Sequence, residues 1–373
     1  MSVVNDNREP SRRPVHTAIA LLFSIIISLV VAEALVRVAD AAGLVDLGPG
    51  LADLPVPQEI ADQVNLEGDQ PLYVGDPVLH HRMTSNWTGF FPEEIMRRVG
   101  RSRVPVRTNS FGLRTPEILE PKPAGTYRIL ILGDSVTFGW GIRGEDTYGS
   151  QLASLLGTLR PEQRFEVINA GVSGYGTWQE ALWLAAEGIV LEPDLIIVQV
   201  HLNDVADNLW GTMGWDPGGD PWLARTSMLA QLVSRVWQNS QAGNSSEPCA
   251  SDWKVGNERV CWERTLGLLG DIQQTAQRNG IPLVLMPSPM RWQVEPGTAD
   301  TRSWVDQSHY QSILAEYAQQ GGWLFADPLP ILRAASEGSS ESLFLDVGHP
   351  AERGQRIVAE VLYETLAEAG ALP

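Results

Sequence analysis

Four places in this 373-residue chain set polar, chemistry-bearing residues at the edge of an apolar run or a helical segment. Gly133-Asp134-Ser135 follows Ile129-Leu130-Ile131-Leu132. Asn169-Ala170-Gly171-Val172-Ser173-Gly174 follows Phe165-Glu166-Val167-Ile168. His201-Leu202-Asn203-Asp204 follows Leu195 to Val200. Asp346-Val347-Gly348-His349-Pro350 leads into a helical pattern. A serine hydroxyl becomes a useful nucleophile only when a base takes its proton. An Asp three residues before a His in a tight turn can accept the imidazole N–H, which leaves the other ring nitrogen as that base. An Asn amide and the N–H groups of a glycine-rich loop can meet a developing negative charge. Each piece alone also reads as a turn, a βα loop, a helix cap or a helix start. Taken together they supply Ser135, His349 and Asp346 as nucleophile, base and orienting acid, and acyl transfer is the chemistry that set performs.

The elements between these positions decide whether they can meet. Ile129–Leu132, Phe165–Asn169, Asp194–Val200, Ile281–Met286 and Trp323–Phe325 have the composition of buried strands. Helical periodicity covers Thr147–Leu159, Thr177–Gly188, Arg264–Arg278, Asp306–Gln320 and Pro350–Ala367. This alternation predicts a parallel sheet with helices on both faces. All strands then run the same way, so their carboxyl ends share one crevice.

Ahead of that region, Ala39 to Asp69 is rich in Gly, Pro, Ala and Asp and reads as a linker. Asp76 to Arg107 holds short strand-like pieces, and Asn109 to Arg114 a turn. Arg114 can reach an anionic substrate group or serve structure. His80, His81 and Asp76 are close in sequence, but neighbours on a strand point to opposite faces, so no metal site is assigned.

The segment Val15 to Val38 is almost uninterrupted apolar sequence, preceded by Arg8, Arg12 and Arg13. It meets the roughly 20 residues a bilayer core requires. The arginines predict a cytoplasmic amino terminus with the rest of the chain outside the cytoplasm. A cleaved signal peptide ending near Ala32-Glu33-Ala34 is the alternative. In an oxidising compartment the two cysteines, Cys249 and Cys261, would close a surface loop; otherwise they are free thiols. A net charge of −18 argues against a nucleic-acid partner. The Gly-rich turns lack the phosphate-loop and dinucleotide patterns, so no cofactor is expected.

The order of these motifs resembles the SGNH (GDSL-type) hydrolase superfamily over about residues 126 to 370. Gly133-Asp134-Ser135 with Thr137-Phe138-Gly139 looks like its first block, Asn169–Gly174 the second, Asn203-Asp204 the third and Asp346-x-x-His349 the fifth. The resemblance implies a three-layer α/β/α sandwich of flavodoxin-like order. It implies a catalytic Ser135–His349–Asp346 triad and an oxyanion hole made by the Ser135 N–H, the Gly174 N–H and the Asn203 side chain. His201 stands where the third block usually has Gly; either the strand end carries the bulkier residue without harm, or His201 narrows the pocket or acts as a second base. The membrane anchor, the lead-in and the Asn109-Ser110-x-Gly112-x-Arg114 turn are similar to a bacterial cell-envelope subset.

The expected organisation is therefore a tail at 1–14, a membrane helix at 15–38, a linker and lead-in at 39–125, and a hydrolase domain at 126–373 with an insertion at about 205–262. The insertion carries Trp210, Trp215, Trp222, Trp237, Trp253 and Trp262. Their indoles either stack on sugar rings or pack a small cap. An anchored esterase acting on an acylated small molecule or envelope glycan, an O-acyltransferase, and a non-catalytic binding protein are the three readings. The sequence is silent on oligomeric state.

Overall fold

The computed structural model describes residues 24, 27–39, 67–76, 78–205, 208, 229, 258–295 and 309–373. The lead-in forms small antiparallel units. β1 (Glu67–Gly68) lies outside a hairpin made of β2 (Tyr73–Asp76) and β3 (His80–Met83). β4 (Thr88–Phe90) pairs antiparallel with β1 on one side and with β5 (Pro105–Arg107) on the other. The hairpin tip is built by Asp76, whose carboxylate accepts the N–H groups of Val78 and Leu79, both at 2.8 Å. That bond drives the turn that a short Asx side chain favours.

From residue 126 the expected alternation appears. β6 (Thr126–Leu132), β7 (Arg164–Asn169), β8 (Leu195–Val200), β9 (Leu283–Pro287) and β10 (Leu324–Phe325) form a five-stranded sheet of order β7-β6-β8-β9-β10. Every pairing in it is parallel. Because side chains alternate along a strand, the apolar runs feed two cores. Leu130, Leu132, Ile196, Val198 and Leu285 face one core, shared with the helices Thr177–Trp183, Glu258–Arg278 and His309–Gly321. Ile129, Ile131, Ile197, Val284 and Met286 face the other, shared with Tyr148–Leu159, Leu329–Ser336 and Glu352–Glu368. Each such fully buried aliphatic side chain contributes roughly 1.5–3 kcal/mol of transfer free energy. The lead-in joins the first core: Leu72, Leu79, Phe91, Met96 and Val106 are buried in it together with the sheet residues.

Some elements differ from the periodicity reading, among them the helix expected over Arg264–Arg278, which spans Glu258–Arg278, and an unexpected turn of helix at Arg291–Val294. The helix expected over Thr177–Gly188 tightens to Thr177–Trp183 and widens into a π-turn at Leu184–Gly188. The last helix starts at Glu352, not at Pro350, because Pro350 is held in a bridge with Phe344. The helix Leu329–Ser336 is absent from the expectation; it opens after Asp327, whose carboxylate accepts the Leu329 N–H at 2.9 Å.

Residues 27–39 are helical, while 15–23, 25 and 26 of the expected membrane helix lie outside the described residues. Among the described residues no helix is long and apolar enough to cross a membrane. Most of the 205–262 insertion, including Cys249 and the tryptophans from Trp210 to Trp253, also lies outside them. Trp262 is described: it is buried and stacks on Tyr310 with centroids 6.3 Å apart, as a core residue does.

Candidate active site

In this strand order the chain leaves β6 toward β7 on one side and returns to β8 on the other, so the carboxyl end of β6 is the switch point where such sheets bind ligands. The nucleophile turn sits there. Gly133 is required: a Cβ on it would lie 2.0 Å from Thr137 Oγ1. Asp134 caps a single helical turn, Ser135–Phe138, by accepting the Val136 N–H at 2.9 Å. Gly139, at φ 84°, ends that turn in the left-handed conformation that glycine adopts at no steric cost. Ser135 is thus the first residue of the turn, where an N–H has no intrahelical acceptor, and its hydroxyl is half-buried.

The hydroxyl of Ser135 reaches His349. Ser135 Oγ lies 2.8 Å from His349 Nε2. On the far side of the ring, His349 Nδ1 is 2.8 Å from Asp346 Oδ2 and 3.0 Å from Oδ1. Asp346 also accepts the N–H groups of Gly348 and His349 at 2.9 Å each. Partial burial pushes the Asp346 carboxyl up, but the hydrogen bond and charge of His349 and the two backbone donors outweigh it and bring it down to about 2. An ionised Asp346 can only accept, so His349 Nδ1 carries the proton and Nε2 is left to take one from Ser135. The turn is pinned from outside by the Leu345 N–H to the His349 carbonyl at 2.8 Å and the Arg291 N–H to the Val347 carbonyl at 2.9 Å.

The loops after β7 and β8 border this turn. Asn169 ties the β7 loop to the nucleophile turn, donating to the Thr137 carbonyl at 2.6 Å and accepting the Gly171 N–H at 2.9 Å. Gly171 fits so closely that a Cβ would lie 2.4 Å from Phe138 N. Gly174 stands at φ 80° in a β-turn closed by the Tyr175 N–H to the Val172 carbonyl at 3.1 Å. After β8, the buried His201 hydrogen-bonds through Nδ1 to Asn203 Oδ1. The bond uses the amide oxygen and turns the Asn203 NH2 away from His201. The His201 ring also fills the space beside the triad turn, since a Cβ on Gly348 would lie 3.0 Å from it. Its Nδ1 is 3.6 Å from Asp134 Oδ2, and its Nε2 is buried with no hydrogen-bond partner among the described residues.

Several supporting residues have partners far away in sequence. Trp140 stacks on the His349 ring with centroids 4.7 Å apart, and Phe91 of the lead-in meets Trp140 edge-on at 6.0 Å. Arg114 is buried and donates to the carbonyls of Phe138 at 2.9 Å, Gly139 at 2.6 Å and Ile142 at 2.6 Å. It therefore clamps the segment that carries Trp140 and serves structure. Burial lowers its guanidinium to about 10. His81 is fully buried against the Ser173 carbonyl. Glu180 is buried with no hydrogen-bond partner for either oxygen among the described residues, and burial beside Asp134 pushes its carboxyl well above the usual range. A separate cleft of about 720 Å³ runs past Arg107, Asn109 and Glu145 and contains no triad residue.

No curated protein matches the chain. Among solved structures, the acetylxylan esterase Axe2 from Geobacillus stearothermophilus is 16% identical, with a TM-score of 0.42, covering 64% of this chain and 94% of its own. The acetyl xylan esterase AlAXEase is 17% identical with a TM-score of 0.43, over 64% of this chain and 99% of that one. LAE5, described as an alpha/beta hydrolase enzyme from the metagenome of Lake Arreo, Spain, is 18% identical with a TM-score of 0.43, over 65% and 95%. Residues 131–357, more than half of the chain, match the GDSL-like Lipase/Acylhydrolase family. The chain belongs to that GDSL-like lipase/acylhydrolase family and is a serine ester hydrolase.

Proposed function

We propose that this protein removes small acyl groups from an acylated carbohydrate through a Ser135–His349–Asp346 triad. The observation that carries the reading is the continuous chain of 2.8 Å contacts from Ser135 Oγ through His349 to Asp346. His349 Nε2 takes the Ser135 proton as Oγ attacks the ester carbonyl. The Ser135 N–H, the Gly174 N–H and the Asn203 amide receive the oxyanion. His349 then protonates the leaving alcohol, and the Ser135 acyl ester passes to water activated by the same imidazole. A small acyl group is favoured by His201, which fills the volume beside Gly348 that a glycine at 201 would leave open.

The apolar segment at 15–38 behind Arg8, Arg12 and Arg13 supports a single-pass anchor with the catalytic region outside the cytoplasm. An anchored hydrolase facing the envelope would meet O-acetylated polysaccharide there. The test is to incubate full-length wild-type protein and Ser135→Ala with an O-acetylated polysaccharide and follow acetate by NMR. Free acetate from wild type alone is expected. Acetate moved to another sugar hydroxyl would favour an O-acyltransferase with the same triad. Equal release from Ser135→Ala would refute the scheme.

A further inference from the structure

We propose that His81, from the lead-in hairpin, is a positioning residue that holds the oxyanion-hole peptide in its working orientation. The inference rests on Gly174 N–H being an oxyanion donor. The peptide unit in question is Ser173–Gly174, and its carbonyl and N–H point in opposite directions because a trans peptide is planar. It is also the central peptide of the β-turn Val172–Tyr175, with Gly174 in the third position at φ 80°. That is the geometry of a type II turn. Types I and II share their end residues and differ mainly by a half-rotation of the central peptide, so little else in the chain resists such a flip.

His81 resists it. Its Nε2 lies 3.0 Å from the Ser173 carbonyl oxygen. A carbonyl only accepts, so Nε2 carries the proton and donates. With the carbonyl tethered to the hairpin side, the Gly174 N–H must point the other way. A flipped peptide would send the N–H toward the hairpin and turn the carbonyl's negative end into the site.

The hairpin is built to deliver this one ring. His81 has no exposure, and its own carbonyl accepts the Tyr175 hydroxyl at 2.8 Å. Tyr73 and Tyr175 meet the ring edge-on at 5.5 and 5.1 Å. Gln179 donates to the Leu79 carbonyl at 3.0 Å while accepting the Gly176 N–H at 2.7 Å, which fixes the hairpin tip to the loop that contains the turn. His80, next to it, sits at φ 69°, a left-handed conformation that a bulky residue adopts only when its surroundings impose it. His80 Nδ1 lies 3.3 Å from His81 Nδ1 and completes the tautomer assignment as the donor to that nitrogen.

The test compares His81→Gln, whose amide N–H reaches about as far as Nε2, with His81→Met, of similar length and no donor. Tyr175→Phe, which loosens the hold on His81, is the second route to the same effect. Each full-length variant, with Ser135→Ala as the control, is assayed on p-nitrophenyl acetate well below its own unfolding midpoint. Loss of an oxyanion donor costs about a hundred- to a thousand-fold, so a donor left free to flip should cost about ten- to a hundred-fold in kcat. His81→Met is expected to show that loss with KM within about twofold, His81→Gln to restore most of it, and Tyr175→Phe to show a smaller loss of the same kind. Wild-type kcat in His81→Met, a loss expressed in KM, or equal loss in His81→Gln would overturn the inference while leaving the Ser135 reading intact. Activity in Ser135→Ala would overturn both.

Discussion

The indole of Trp140 lies over the imidazole of His349, with ring centroids 4.7 Å apart and planes inclined by 28°. Trp140 lies five positions after Ser135, so one short segment provides both the proposed nucleophile and the platform for its base. In the transition state the ring carries a positive charge, and an aromatic face stabilises a cation placed over it. The platform is held by the edge of Phe91 and by the Arg114 clamp on the carbonyls around it.

Replacing Trp140 by Leu should therefore lower kcat/KM for p-nitrophenyl acetate. A cation–π contact of about 0.5–2 kcal/mol corresponds to roughly a 2- to 30-fold loss. Trp140→Phe should keep part of the activity. Equal rates in wild type and Trp140→Leu would show that the stacking has no part in the reaction.

Asn203→Ala removes the only side-chain donor proposed for the oxyanion. The expected cost is about a hundred- to a thousand-fold in kcat, with little change in KM, because the interaction forms only as the oxyanion does. Steady-state kinetics on a soluble ester decide this, and a change confined to KM would move Asn203 from the oxyanion to ground-state binding.

Arg114→Met should act on stability. It leaves the Phe138 and Ile142 carbonyls without their buried donor, while the Gly139 carbonyl keeps the Ile142 N–H at 3.3 Å. Each unsatisfied buried group costs about 1–3 kcal/mol, so a loss of about 2 kcal/mol or more is expected in urea unfolding. A variant as stable as wild type would mean that the clamp is dispensable.

His81 gives the stability curve a definite sign. Burial, more than any neighbour, lowers its imidazole from 6.5 to about 4. Between these values the unfolded chain binds the proton and the folded chain does not. Stability therefore falls as pH drops from 6.5 toward 4 and recovers as pH rises. The span corresponds to roughly 3 kcal/mol. Urea unfolding at several pH values should show wild type losing ground to His81→Gln across this window; parallel curves would contradict the assignment.

The sheet and the contact chain from Ser135 through His349 to Asp346 were legible because their signals are local. An apolar run such as Ile129–Leu132 and a tight Asp346-to-His349 spacing each sit within one short stretch, and parallel strands force their ends together. The supports of the site were not legible, since they join distant segments. Nothing near His81 in sequence announces the Ser173 carbonyl, which is 92 residues away. An Arg in a turn is usually solvated or structural, but only the fold shows three carbonyls around Arg114. His201 stands where the resemblance implied a glycine, and its contact with Asn203 is visible only in the fold.

The proposed reaction requires His349 to activate Ser135 for attack. Labelling of the full-length protein with a fluorophosphonate probe, beside Ser135→Ala and His349→Ala, measures that activation. Rapid labelling of wild type at Ser135 is expected, with none in Ser135→Ala and a rate reduced by at least about a thousand-fold in His349→Ala. Labelling of folded Ser135→Ala at the wild-type rate, or of His349→Ala as fast as wild type, would contradict that activation.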